Sequence, residues 1–214
     1  TRLFSAQSNR STRLVKSLTS KAFTKKVFII VTAFLMGRAL LFNELAPFGL
    51  AYWAYLYREE RESSPIGAIF ILMGGYTVRF LAGPATLLLG MFIILTLDKL
   101  FESRKKYLPL PLVAAIAVIL GRMPLLVMNS FIPYDIFLTI MEAILVFPAT
   151  TFLSRGVLLF RAERQDDNYN QEEVIGGLFF FAFLMLGLAN GPSWVLSVQS
   201  SVIIVSVLVL AYLY

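Results

Sequence analysis

Apolar residues along the chain collect in long blocks separated by short charged clusters, without the period-two alternation of half-buried strands. The blocks run over 27–57, 66–97, 108–128, 135–152, 174–189 and 193–214. Blocks of this length and composition read as hydrophobic helices rather than as strands of an outer-membrane barrel. The first two are each about 30 residues, or about 46 Å of helix, against a bilayer core of about 30 Å. Both contain helix-ending residues: Asn43 to Pro47 in the first and Gly83-Pro84 in the second. Each is therefore expected to be two legs of about 13–17 residues, a length that tight hairpins, local bilayer thinning or partly re-entrant segments would all fit. The pattern predicts an all-α, polytopic membrane protein of helical hairpins with about eight short transmembrane legs. A six-span alternative treats the first two blocks as single tilted helices.

Composition supports the membrane reading. Hydrophobic residues make up 58% of the chain and charged ones 15%, with a mean hydropathy of +0.76, too apolar for a soluble globule of 214 residues. The polar segments fall into two groups. One is charged: residues 1–26, "REERE" (58–62), "DKLFESRKK" (98–106) and "RAERQDDNYNQEE" (161–173). The other is short and nearly free of basic residues: "NELAPFG", "AGP", "MNSFIPYD" and "NGPS". With eight legs, all charged segments fall on one side, which the positive-inside rule makes cytoplasmic, N-terminus included. All but three of the 19 Lys and Arg then lie on or at the border of that side.

Residues 1–26 form a basic arm with Arg2, Arg10, Arg13, Lys16, Lys21, Lys25 and Lys26 and no acid. Leu14, Leu18 and Ala22 recur every four residues, so the arm could lie as an amphipathic helix on anionic lipid or serve as a basic tail. Nucleic acid is not an expected partner, because basic and aromatic residues do not interleave. Residues 27–214 form the polytopic helical membrane domain. No cleavable signal peptide is evident. Because the chain begins at Thr1 and ends at Tyr214 inside an apolar run, it is expected to be a fragment of a longer protein.

The three remaining basic residues, Arg38, Arg79 and Arg122, are embedded. They recur at about 42 residues, one per hairpin, on the outward-going leg and just before the turn. An arginine at mid-bilayer costs about 2.5 kcal/mol or more unless a partner, water or snorkelling relieves it. Arg122 precedes its turn by about the distance at which Glu142 follows it on the returning helix, so the two are expected to pair and fix helix register. Exchanging the two residues is expected to preserve folding. Arg38 is expected to snorkel toward Glu44, at the mouth of its own turn, and Arg79 to reach the interface directly.

With neither Cys nor His, the chain has no thiolate or imidazole chemistry. No catalytic, cofactor-binding or metal residues are expected in this segment. Asp166-Asp167 read as a solvated acidic face. Gly74-Gly75, Gly121 and Gly176-Gly177 read as sites of close helix approach. Trp53, Tyr55, Tyr57 and Trp194, near block ends, read as interface aromatics.

The order of features is distinctive: a basic arm, "FLMGRALLFNELAPFGLAYWA", then "YDIFLTIMEAILVFPATTFL", then an acidic linker into "NQEEVIGGLFFFAFLMLGLANG". It resembles the N-terminal membrane region of the stage II sporulation protein E family of endospore-forming Firmicutes. The "GRA" followed by an acid and "PF", the "YD" followed by "ME", and the "EE" before the seventh leg carry the likeness. The resemblance implies a membrane anchor and localisation region, placed in the cell membrane at the polar septum. It further implies a middle region that self-associates and binds cell-division proteins. Beyond that it implies a C-terminal serine phosphatase of the type 2C class, a hydrolase using manganese or magnesium. Its implied substrate is an anti-anti-sigma factor, whose dephosphorylation activates the first forespore sigma factor. None of the phosphatase residues falls within this chain. The alternative from another class is a small transporter or channel, in which the embedded arginines would share a water-accessible recess.

Overall fold

The computed structural model describes residues 23–41, 44–103, 108–159 and 171–189, and these are all-helical. Seven helices follow in order: α1 (residues 23–38), α2 (Pro47–Glu59), α3 (Ser64–Arg79), α4 (Ala82–Ser103), α5 (Leu110–Met128), α6 (Pro133–Leu159) and α7 (Gln171–Ala189). Segments in α4, α5, α6 and α7 are each long and apolar enough to cross a membrane. Helices α1, α2 and α3 are shorter, at about 13–16 residues or about 20–24 Å. The segment expected as an eighth leg, most of the basic arm, Asp166-Asp167 and Trp194 lie outside the described residues.

Both long blocks are broken, as helix-ending residues predict. In the first, Pro47 opens α2 at the position where its missing N–H costs nothing. In the second, the break falls slightly earlier than Gly83-Pro84. Phe80 takes φ 48° between α3 and α4, and Pro84 sits in the first turn of α4. Helix α4 also continues through Asp98 and Lys99, which the charge pattern had assigned to a polar segment.

The bundle is organised around α2. Every residue from Pro47 to Leu56 is buried, so this helix is covered all round, as expected of a core helix rather than a lipid-facing one. It packs against α3, α4, α5 and α6, and Phe48 stacks on Phe183 of α7 at 4.1 Å between ring centroids. This corrects the reading of the aromatics. Trp53 and Tyr55 are core residues, with Tyr52 stacked on Tyr55 and Trp53 on Tyr57. Proximity to a block end suggested the interface, but the position of α2 inside the bundle decided the outcome.

Close approaches fall at the glycines. A methyl group on Gly37 would collide with the Ile71 carbonyl, and one on Gly74 with the Phe34 carbonyl, so α1 and α3 meet backbone to backbone. Gly121 lies against Gly90 where α5 crosses α4, and Gly156 against Gly176 where α6 crosses α7. At the charged end, Lys25 pairs with Glu60 at 2.8 Å and Arg155 with Glu172. These pairs join the start of α1 to the end of α2, and the end of α6 to the start of α7, as antiparallel hairpins require.

Candidate functional site

A group of charged side chains within the bundle gathers near the end opposite those pairs, where the α1–α2 turn meets α5 and α6. Glu142 is buried on α6 and Arg122 nearly so on α5, and the two form an ion pair. They face each other because the α5–α6 turn folds two antiparallel helices together with these residues at matching depth. A second set of contacts was not foreseen. The other Glu142 oxygen, Oε1, accepts the backbone N–H of Ala46 at 3.2 Å, and Arg122 Nη2 donates to the Glu44 carbonyl at 3.3 Å. Ala46 caps α2, so Glu142 also satisfies one of the orphan donors of that helix start.

Glu44 takes part twice. Its carbonyl accepts from Arg122, and its carboxylate accepts the hydroxyl of Tyr134, at the start of α6. The "YD" pair that opens α6 thus has a structural use on each residue: Tyr134 reaches Glu44, and Asp135 accepts from Asn129 across the turn at 2.8 Å. The sequence showed the tyrosine near a break but gave no depth at which to match it with Glu44.

The three embedded arginines are not equivalent. Arg79, half-buried in the last turn of α3, is in electrostatic range of Glu142, Glu44 and Arg122. As a cation at a helix C-terminus, it also complements the helix dipole. The guanidinium of Arg38 lies over the ring of Phe34, one turn back on α1, at 5.5 Å.

The cluster therefore brings together Arg122, Glu44 and Glu142 with Tyr134 and the α1–α2 backbone, and Arg79 lies within electrostatic range of it. It holds no nucleophile beside a base. No group of three or more His, Cys, Asp or Glu side chains able to hold a metal occurs among the described residues. What the geometry performs is mutual neutralisation and backbone capping inside an apolar bundle.

A chain whose described residues are helical, with four bilayer-length apolar helices among them and internally compensated charges, is of the helical membrane protein class. Its family is equally plain: the chain belongs to the family described as "SpoIIE, N-terminal domain", whose model matches residues 2–213. The chain is 26% identical over 186 residues to the "Stage II sporulation protein E" of Bacillus subtilis (strain 168), covering 85% of this chain and 22% of that relative. It thus spans less than a quarter of the length of the curated relative it matches. No solved structure matches it.

Proposed function

We propose that this chain is the membrane anchor and localisation region of a stage II sporulation protein E-like phosphatase. The observation that carries the reading is the family match over nearly the whole chain. The self-contained charge cluster supports it: Arg122, Glu142 and Glu44 are engaged by one another, by Tyr134 and by backbone. A transport recess would instead present such groups to water. In this reading the bilayer is the first partner and the charged ends of the hairpins, with the N-terminal arm, face the cytoplasm. Eight legs in four hairpins remain the arrangement we favour. The finer activity follows from the resemblance alone. A soluble domain beyond residue 214, using manganese or magnesium, would dephosphorylate an anti-anti-sigma factor at the polar septum. Cell-division proteins and further copies of the protein would be its neighbours there.

Anchoring is tested by fusing residues 1–214 to a soluble reporter and extracting membranes with alkaline carbonate. The reporter should stay in the pellet. Release into the supernatant, as for a peripheral protein, would contradict the reading.

A further inference from the structure

The described helices around α2 form a closed circuit. Helix α3 packs against α4, α4 against α5, α5 against α6 and α6 against α7, while α2 touches α3, α4, α5 and α6 from within. Helix α1 completes the circuit between the two ends of that arc. On one flank, Gly37 and Gly74 bring it against α3. On the other, Phe28 meets Phe180 at 6.2 Å between ring centroids and, seven residues further along each helix, the Leu35 carbonyl seats on Gly187, so α1 and α7 run parallel. The inner face of α1, with Ile29, Ala33 and Met36, is buried in the cluster that holds α2, whereas Val27 and Val31 on the opposite face are exposed.

This position sets α1 apart. Each of the other five helices of the circuit has, on at least one flank, the helix next to it in the chain. Both flanks of α1 are instead held by helices that are not its neighbours in sequence, and its direct connection within the bundle is to α2 at the centre. Packing therefore retains it. The ion pair that ties its start to the end of α2, Lys25 with Glu60, involves an exposed lysine, and such pairs contribute little in water. Both flanks also depend on glycine. The atoms nearest to a methyl group at Gly74 or at Gly187 are backbone atoms of α1, so either methyl would displace this helix in particular.

Stability is not uniform across a folded chain, and a unit held by fewer constraints opens at a lower free energy than the whole. We infer that α1 is the movable stave of this bundle: it opens as a unit at its seams with α3 and α7, baring α2, while the arc from α3 to α7 stays closed. The inference rests on helix packing and goes beyond the anchor reading. Its consequence is regulatory. The basic arm continues directly into α1, so a load taken up by the arm acts on a helix that can move without stretching the connections of the arc.

The chain has no Cys, so introduced cysteines can carry nitroxide spin labels at exposed positions. Val31→Cys with Leu120→Cys measures α1 against α5, and Ile69→Cys with Ile144→Cys measures α3 against α6. Electron–electron distances are read on the chain in lipid nanodiscs. With the native glycines, each pair should be dominated by one distance. Gly187→Ala and, independently, Gly74→Ala should each add a longer distance to the first pair, populated about fivefold or more above the native level, and leave the second pair unchanged. Unchanged distances in both variants would overturn the inference. Joint broadening of both pairs would also overturn it, because the bundle would then open as one body. Neither result bears on membrane anchoring, which the carbonate extraction tests separately.

Discussion

Glu142 serves two neighbours at once, and that settles what its pairing with Arg122 can tolerate. One oxygen faces the guanidinium and the other receives the Ala46 N–H, while Arg122 supplies the Glu44 carbonyl. A simple register pair would survive exchange of its members, as the sequence suggested. This one would not, because an arginine at position 142 would set donor against donor at Ala46. Removing only the cation, as in Arg122→Met, leaves a buried carboxylate unpaired and should cost about 3–5 kcal/mol. Glu142→Gln keeps an acceptor for Ala46 and should cost less. The exchange of Arg122 and Glu142 should not recover the loss. Unfolding midpoints of the four proteins in one detergent or nanodisc system check this. Full recovery in the exchanged protein would show that charge alone, without direction, holds the site.

At the scale of elements, the glycines divide by what they face. Gly74 meets backbone of α1, which cannot move without moving the helix. An added Cβ at Gly67 meets only the end of the Leu56 side chain, which can change rotamer. Gly74→Ala should therefore destabilise the bundle by about 1–3 kcal/mol, and Gly67→Ala by clearly less. Equal unfolding midpoints for the two variants would mean that α1 and α3 are not held in direct contact. Much of this architecture was legible in the sequence. The first block breaks before Pro47 and the second just before Gly83-Pro84, because each proline is accommodated in the first turn of the helix that follows. Gly74, Gly121 and Gly176 lie at close approaches because small residues permit them. Matched offsets about a turn brought Arg122 to Glu142. The rest depends on depth and neighbours, which no local pattern encodes. The burial of α2, with Trp53 and Tyr55 inside, follows from five helices packing around it. The meeting of Tyr134 with Glu44 depends on how the first hairpin packs against α6.

As a whole molecule, the described chain has an apolar exterior, charged pairs at one end and a neutralised cluster toward the other. Such a body offers little chemistry to the aqueous phase and much surface to lipid, which suits an anchor. The central claim is that these residues determine where the protein resides. The most direct measurement is fluorescence microscopy of residues 1–214 fused to a fluorescent protein in sporulating cells of an endospore-forming bacterium. The account predicts a membrane signal concentrated at the polar septum. An even signal around the whole cell envelope throughout sporulation would contradict it.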